Sequence, residues 1–574
     1  MNNKTKKNYH IFNSIVISIL FSSGLAHADV VMKNGSTTTT KNVQVVNINR
    51  ANSYGLSHNI YSKFQVEKQG IILNNSPKGA NTTLAGQISG NANLSNGSAK
   101  VILNEVQGSR GSSLAGMVEV AGNKASVIIA DPSGVSCYGC GFINTDNVTL
   151  TAGKPDVVNG KLKGYTVNQG QITIGEIGGG LNSDSPTALL GRNVFVKGKV
   201  TAKNITVIAG NNYIDANNTV VRTVSGPYRL ANDTYSIDIS ELGGMYANKI
   251  MLVNTEELAG VTNKGTIVAD NLGLQIDTQG SFDNRGTINT QGTINIKSGY
   301  WFLNKGGQII SNQDINIDTT RGKPNMSVPG SLVSGPKVGV FTNSNNGQIK
   351  ASSDLNINSA DVDNQSGSIT GLGHLNINTN NNLLRNSGQL ITNGLNGGNI
   401  VLNTNYLKNT GGLIQGFTIT AHATTIDNTN GIINAGQNVD ITTTGDILNR
   451  NGLIRSQLGS VKLVTTNGLI DNMSTKQTGT DLNRPNVTGI VVANSNGNID
   501  ITTNRLYNAA GQVMSLGGLN IKASKEVSNT NGKISAGKKL SIKTDTLGNS
   551  QGGTITANGG INLDIQNGGS IVIN

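Results

Sequence analysis

The only two cysteines of the chain, Cys137 and Cys140, stand two residues apart in the segment GVSCYGCGFINT. A C-x-x-C pair can be a thiol–disulfide centre, half of a zinc site or a local disulfide. A redox centre of the thioredoxin type needs its first cysteine at the N-terminus of a helix, whereas the segments ASVIIA and FINT around this pair have the composition of strands. Which of these three roles the cysteine pair has therefore depends on the other metal ligands in the chain and on the compartment in which the chain folds.

Ligands for a metal ion are scarce. Beyond the first 28 residues the only histidines are His58, His374 and His422, which are far apart in the sequence and distant from the cysteines. Because a zinc site requires about four N, S or O ligands, we expect no zinc site. The carboxylates are also isolated, unlike the clustered Asp and Glu of β-helical lyases and hydrolases. We therefore predict that the chain is not an enzyme and needs no cofactor or metal.

The first 28 residues have the organisation of a secretory signal peptide. Three lysines precede an apolar run over 11–25, and Ala26-His27-Ala28 fits the small-x-small pattern of a cleavage site. The run is too short to span a membrane. We predict cleavage between Ala28 and Asp29, so that the mature chain leaves the cytoplasm. In an oxidising compartment the C-x-x-C pair is expected to be a local disulfide.

The composition is unusual for a chain of 574 residues. Only 13% of the residues are charged and 4% are aromatic, and there are 74 glycines but 9 prolines. The net charge of +12 is spread thinly, with no cluster of Lys and Arg among aromatic residues. Nucleic-acid binding is therefore not predicted. Such a chain needs many tight turns and β-branched residues in order to pack.

A repeat of 19 to 23 residues begins near residue 260. Its rule is N-x-x-G-x-I, a short polar turn and then apolar-x-apolar alternation, as in NKGGQIISNQDINID at Asn304 and NTNGIINAGQNVDIT at Asn428. Alternation at period two indicates strands, and a fixed period of this length indicates a solenoid. The pattern predicts an all-β parallel β-helix with an inner aliphatic column. If every mature residue belonged to such coils, about 26 of them would form a rod about 120 Å long.

Two segments interrupt the repeat and contain several of the few prolines. They are RGKPNMSVPGSLVSGPKVG at 321–339 and MSTKQTGTDLNRPNVTG at 473–489. We interpret both as loops that leave the rod.

The region before the repeat resembles the secretion domain of two-partner secretion exoproteins, also called the haemagglutination-activity domain. Filamentous haemagglutinins, contact-dependent inhibition toxins and haemolysins share this domain. The family's Asn-Pro-Asn-Leu signature is present as Asn91-Ala92-Asn93-Leu94, with alanine in place of proline.

A second family signature, Asn-Pro-Asn-Gly-Ile, is present as Asp131-Pro132-Ser133-Gly134-Val135. The nearby segments LNEV and GFINT strengthen the resemblance, as does LGGMYANKIMLVNTEELAGVTNKGTI, which is similar to the family's junction into filament repeats. The resemblance implies that the two signatures take part in recognition by the transporter.

The resemblance also implies an organisation and an export route. We expect a signal peptide at 1–28, a secretion domain at 29–245 and β-helix repeats at 246–574. The Sec machinery would carry the chain across the inner membrane, and the POTRA domains of an outer-membrane β-barrel transporter would then receive it. Outside, the chain would fold as a right-handed parallel β-helix, secreted or retained on the outer-membrane surface.

The activity outside the cell is left open by the sequence. We predict adhesion or haemagglutination, with host or bacterial surface receptors or glycans as partners, or the stalk of a contact-dependent growth inhibition toxin. A pore-forming haemolysin is the alternative, and a β-helical carbohydrate-active enzyme is a third possibility. Because the repeat continues up to Asn574 without a cap, we expect the chain to be a fragment or a truncated product.

Overall fold

The computed structural model describes residues 30–175, 179–227, 234–321, 339–394, 397–475, 487–566 and 571–573. Within these ranges the regular structure is β-strand, apart from one 3₁₀ helix at Ala92–Leu94. The predicted signal peptide and its cleavage site at Ala28 and Asp29 lie outside the described residues. So do residues 322–338 and 476–486, which make up most of the two predicted loops.

The chain winds as a parallel β-helix with three strands in each turn. Strands at equal positions of successive turns pair in parallel, and they form three long sheets that we call faces 1, 2 and 3. One turn consists of Gly260–Asn263 on face 1, Thr266–Ala269 on face 2 and Leu274–Thr278 on face 3. The predicted all-β parallel β-helix is confirmed, and we call this stack of turns the rod.

The remaining strands of the rod belong to the same three faces. Face 1 contains Ser112–Leu114, Val135–Cys137, Gln171–Ile174, Asn193–Val196, Tyr235–Ile239, Phe282–Asn284, Trp301–Lys305, Val340–Ser344, Asp361–Gln365, Leu383–Asn386, Tyr406–Lys408, Thr425–Asp427, Ile447–Leu448, Leu469–Asp471, Thr546–Asn549 and Ile571–Ile573. Face 2 contains Val43–Asn47, Ile71–Asn75, Met117–Gly122, Cys140–Ile143, Leu181–Ser183, Lys199–Thr201, Gly244–Ala247, Thr287–Thr290, Gln308–Ser311, Gln348–Ala351, Ser368–Gly371, Gln389–Ile391, Leu413–Gly416, Ile432–Ala435, Leu453–Ser456, Gly489–Val492, Gln512–Ser515, Lys533–Ala536 and Thr554–Ala557. Face 3 contains Val101–Val106, Ala125–Ala130, Thr145–Thr151, Thr187–Gly191, Asn204–Ala209, Lys249–Asn254, Ile294–Ser298, Ile315–Asp318, Leu355–Asn358, Leu375–Asn378, Ile400–Asn403, Ile419–Ala423, Val439–Thr443, Val461–Thr465, Leu540–Thr544 and Ile561–Ile565. Three long strands bend at the corner and serve faces 3 and 1 in turn: Leu56–Val66, Ile499–Tyr507 and Leu519–Ser528.

The rod is shorter than the sequence alone suggested. It has about 19 turns, which at about 4.8 Å each give a length of about 90 Å. The figure of about 26 coils and about 120 Å required every mature residue to belong to a coil, and this condition is not met because the N-terminal half uses many residues for elements outside the rod. Trp301 pairs directly with Val340, and Leu453 pairs directly with Gly489, so these neighbouring turns are separated by more residues than the repeat period.

Elements outside the rod cover two faces of its N-terminal half. A four-stranded antiparallel sheet packs on apolar residues of face 3, and a hairpin packs on face 2. The four strands are Lys154–Val158, Lys161–Val167, Asn212–Asp215 and Val220–Thr223, and the hairpin strands are Ala80–Thr82 and Gly86–Ile88. At the start of the chain, Val30–Met32 pairs with Leu56–Val66 and Ser36–Thr40 pairs with Val43–Asn47, both antiparallel.

Alternate residues of each strand point inward and stack in columns. On face 1 the rings of Phe282, Phe302 and Phe341 form one such column, with centroid separations of 5.1 and 5.2 Å. All three rings are fully buried, whereas the neighbouring Trp301 points outward. The single continuous core that results explains why one coil cannot fold without its neighbours.

A ladder of asparagine side chains runs along the corner between faces 1 and 2. Each Nδ2 donates a hydrogen bond of 2.7–2.9 Å to Oδ1 of the asparagine one turn further on, in twelve consecutive steps. The rungs are Asn263, Asn284, Asn304, Asn343, Asn364, Asn386, Asn409, Asn428, Asn449, Asn472, Asn508, Asn529 and Asn549. The repeat rule N-x-x-G-x-I follows from this corner. Its asparagine forms the ladder, and its glycine lies where a side chain would collide with the neighbouring turn. A Cβ on Gly431, for example, would lie 2.0 Å from the carbonyl oxygen of Asn409.

The ladder begins abruptly at Asn263. Its Oδ1 is buried without a hydrogen-bond partner, because the residue beneath it in the previous turn is Ile239, which offers no side-chain donor. The same row continues toward the N-terminus as Val196, Ile174 and then Cys137. The two sections of the rod therefore use different side chains at one structural position.

Candidate functional site

The first signature forms a short excursion at the N-terminal end of the rod. Asn91 caps the 3₁₀ helix with its side-chain oxygen, which accepts a 3.0 Å bond from the amide of Asn93. Its Nδ2 donates 2.9 Å bonds to the carbonyl oxygens of Ile48 and Asn74, which belong to two successive turns. The buried Asn91 side chain therefore joins the first two coils.

The other residues of this signature divide between core and surface. Leu94 is fully buried in the main core, whereas Ala92 and Asn93 are exposed. The side chain of Asn93 donates a 3.2 Å bond to the carbonyl oxygen of Ile48. Because alanine occupies an exposed helical position, the absence of the family's proline here leaves the turn intact.

The second signature is a tight turn between face 3 and face 1. The carboxylate of Asp131 accepts a 2.7 Å bond from Ser112 Oγ and a 2.9 Å bond from the amide of Ser133. Gly134 has φ of +111°, and a Cβ there would lie 2.8 Å from the carbonyl oxygen of Gln171. Only glycine suits that position.

The two flanking residues of this turn complete it. Val135 enters the core, and Pro132 begins the turn after the buried Asp131.

Burial raises the pKa of Asp131, and the hydrogen bonds from Ser112 and Ser133 partly offset that rise. The carboxyl group therefore costs stability when it ionises in the folded protein.

This cost predicts a pH effect for Asp131→Asn. The folded-state pKa lies above the unfolded value of about 4, so the wild type loses stability as the pH rises from that value through the folded pKa. The amide can accept from Ser133 and donate to Ser112, and it does not ionise. We expect the variant's free energy of unfolding, relative to wild type, to increase between pH 3 and pH 7 in urea titrations. A difference independent of pH would contradict this assignment.

The two cysteines form a disulfide across the corner between faces 1 and 2. The Sγ–Sγ distance is 2.00 Å, and both residues are buried. Cys137 ends a strand of face 1 and Cys140 begins a strand of face 2, with no helix at either residue. The described residues contain no group of three or more His, Cys, Asp or Glu side chains placed to hold a metal ion.

We expect the Cys137→Ser/Cys140→Ser variant to remain folded. A ring of this size contributes about 2 kcal/mol in the chain-entropy model, which is small against the stability of a continuous core. Thermal unfolding should therefore begin at a lower temperature in the N-terminal half, while the amount of secreted protein stays unchanged. Loss of secretion in the double serine variant would show that the disulfide has more than a local role.

A groove of about 890 Å³ lies beside the second signature. Its lining includes three cations, Lys33, Lys63 and Arg110, and two carboxylates, Glu67 and Asp131. The lining residues come from the position just after the first antiparallel strand, from the long bent strand and its end, from the loop that follows Val106, and from the turn at Asp131. No local sequence pattern links positions so far apart, and sequence reasoning therefore did not identify the groove.

The two signatures lie at different corners of the rod. Asn91 contacts the turn between faces 2 and 3, whereas Asp131 lies between faces 3 and 1. Among the hydrogen bonds of the described residues, none joins one signature to the other. Asn91, Leu94, Asp131, Gly134 and Val135 are buried, so the surface available to a partner consists chiefly of Ala92, Asn93, Ser133 and the groove beside Asp131.

Comparison with known proteins identifies the N-terminal half. Residues 25–289 match the model of the TPS secretion domain. The chain belongs to the two-partner secretion exoprotein family. A solved filamentous haemagglutinin secretion domain is 32% identical, with 48% of this chain and 94% of that chain aligned and a TM-score of 0.44.

Curated relatives of this two-partner secretion protein are much longer. Toxin CdiA of Yersinia pestis is 38% identical over 285 residues, which are 49% of this chain and 8% of the relative. The tRNA nuclease CdiA of Yersinia mollaretii is 42% identical over 259 residues, 44% of this chain and 9% of the relative. The 16S rRNA endonuclease CdiA of Enterobacter cloacae is 43% identical over 243 residues, which are 42% of this chain and 7% of the relative.

This two-partner secretion protein thus spans less than a tenth of the length of those relatives. The matches lie in its secretion region and do not include the nuclease part that gives two of the relatives their names. No helix in the described ranges is long and apolar enough to cross a membrane.

Proposed function

We propose that the protein is exported by a cognate two-partner transporter and that its rod then acts in adhesion or as the stalk of a contact-dependent inhibition system. The observation that carries the proposal is the continuity of the rod: one core and one asparagine ladder extend directly from a secretion domain. Such a rod holds a distant end away from the cell surface. The similarity to CdiA proteins supports the stalk role, and the resemblance to haemagglutinins supports adhesion.

We further propose that the domains divide at 245/246, with a cleaved signal peptide at 1–28. The Sec machinery would deliver the chain to the periplasm, and the POTRA domains of the transporter would recognise Asn91–Leu94 and Asp131–Val135. The positive groove beside Asp131 offers an accessible surface for this recognition. The rod itself, in this proposal, carries no enzymatic activity.

Co-expression tests the export route. The full chain is produced with and without a two-partner transporter, and the extracellular and periplasmic amounts are compared. We expect secretion only with the transporter, and at least a tenfold reduction for Asn91→Ala combined with Arg110→Glu. The matched control is Asn289→Ala, an exposed position on face 2. Equal secretion with and without the transporter would contradict the proposal.

A second experiment tests whether folding outside the cell assists export. The paired core substitutions Ile521→Asp and Ile542→Asp place charges in the fully buried column of face 3. They should prevent the last coils from stacking. We expect a slower rate of secretion, measured by pulse-chase labelling, than for the outward, half-buried pair Asn520→Asp and Ser541→Asp. Equal rates would show that coil folding does not drive export.

A further inference from the structure

A row of outward-pointing asparagines runs along the rod in the middle section of face 3. Asn295, Asn316, Asn356 and Asn376 occupy equal positions on four successive coils. The side-chain Nδ2 of each later asparagine donates to Oδ1 of the preceding one, at 3.0, 2.9 and 2.8 Å. These bonds hold the amide groups in an array with a spacing of one coil, about 4.8 Å.

A second row lies two residues further along the same strands. It consists of Lys297, Asp318, Asn358, Asn378 and Asn403. The two rows line an open groove of about 470 Å³. Its lining includes one cation and one anion, and every other polar side chain in it is an asparagine amide. The groove therefore has many hydrogen-bonding groups and a formal charge of zero.

The same face has a different character elsewhere on the rod. In the N-terminal half its outward residues, such as Leu103, Ile128 and Ile208, are apolar and lie beneath the antiparallel sheet. Further toward the C-terminus its outward side chains include the charged pair Lys462 and Asp440, 3.6 Å apart. The amide section lies between these regions, with its asparagines half-buried or exposed.

We propose that the amide groove binds an extended, uncharged polysaccharide along the rod axis, with one sugar ring for each coil. The inner amides, Asn316 and Asn356, each use one N–H and one oxygen lone pair for their neighbours, and each keeps a second N–H and a second lone pair for a ligand. The end amides, Asn295 and Asn376, use only an oxygen lone pair and only an N–H, respectively, within the row. Sugar hydroxyls both donate and accept, and they match such mixed groups. The bonds within the row hold the side chains in place and so lower the entropic cost of binding.

The length and charge of the groove narrow the ligand further. From Asn295 to Asn403 the lining covers five coils, so the groove is about 19 Å long from the first coil to the last. A straight β-1,4-linked glycan can remain in contact over that distance, whereas a helical α-1,4-linked glycan curves away. The absence of net charge favours a neutral chain over an anionic one. This inference rests on the proposed adhesive role and assigns a ligand class to it.

Calorimetry with cellohexaose tests the inference on the purified full chain. We expect cellohexaose to bind, and maltohexaose and heparin to bind at least tenfold more weakly. The Asn316→Ala/Asn356→Ala variant should lose at least tenfold in affinity, and the face 2 control Asn289→Ala should bind like wild type. A Val401→Trp variant fills the end of the groove without removing a side-chain hydrogen bond, and it should also weaken binding.

Three results would overturn the inference: no binding of cellohexaose, equal binding by the groove variants, or preferential binding of heparin. Circular dichroism and thermal unfolding show whether each variant is folded, and Val401→Trp decides the matter if the double alanine variant unfolds. Cell adhesion is measured in parallel. Adhesion without glycan binding would remove this inference and leave the proposed adhesive role standing. Glycan binding without adhesion would remove the adhesive role and leave the glycan site standing.

Discussion

Replacing Asn428 with alanine is expected to lower the free energy of unfolding by about 2–4 kcal/mol. Its Nδ2 donates to Asn449, and its Oδ1 accepts from Asn409, both at 2.8 Å inside the rod. The substitution leaves a buried acceptor on Asn449 and weakens the bonding of Asn409. Urea denaturation gives the total loss, and hydrogen exchange should show faster opening of the coils from 409 to 453.

The matched control for the ladder is Asn289→Ala. Asn289 is an exposed asparagine of face 2, so its replacement should change the stability by less than about 0.5 kcal/mol. If both variants lost the same free energy of unfolding, the hydrogen bonds of the ladder would contribute no stability beyond that of any asparagine side chain. A loss that spreads evenly over the whole chain would contradict the expectation that damage stays near one coil.

The second large effect is expected for Phe302→Ala. The ring of Phe302 lies between Phe282 and Phe341 in the core column of face 1, so its removal leaves a cavity bounded by two rings. Such a substitution costs about 3–5 kcal/mol. The adjacent residue provides the control, because Trp301 points outward and is 37% exposed. Trp301→Ala should cost about 1 kcal/mol or less.

Thermal unfolding followed by circular dichroism compares the two variants directly. Phe302→Leu adds a third measurement, because it keeps most of the core volume and should fall between the wild type and the alanine variant. If Trp301→Ala were the more destabilising change, the assignment of inward and outward positions on this strand would be wrong.

The fold was predictable from the sequence because one short rule carries most of it. The spacing N-x-x-G-x-I places an asparagine at the end of a face 1 strand, a glycine at the crowded corner and an isoleucine in the core of face 2. Period-two alternation then determines the inward residues of face 3. These are local signals repeated many times, and repetition makes a weak local signal decisive.

The N-terminal half could be predicted only in part. Its row of Val196, Ile174 and Cys137 occupies the position of the later asparagine ladder, yet aliphatic residues there give no distinctive pattern. The outer sheet on face 3 depends on pairing between strands that are far apart in the sequence, such as Lys161–Val167 with Asn212–Asp215. Such long-range contacts leave no trace in a local pattern.

The candidate site was also predictable only in part. The two signatures were identified from the family resemblance, and the structure shows that Asn91 and Asp131 are buried and hold turns together. The groove beside Asp131 depends on Lys33 and Arg110, which only the fold brings near each other. The amide groove likewise needed the stacking register, because asparagine is too common in this chain for four positions to stand out.

The asparagine ladder also separates distance along the rod from distance along the chain. Asn284 and Asn304 are 20 residues apart and Asn304 and Asn343 are 39 apart, yet both pairs bond at 2.8 Å. A corner can therefore lengthen without any change in the spacing of the turns. When this protein is aligned with longer relatives, the turn number and not the residue number is the quantity to match, and insertions should be placed at corners.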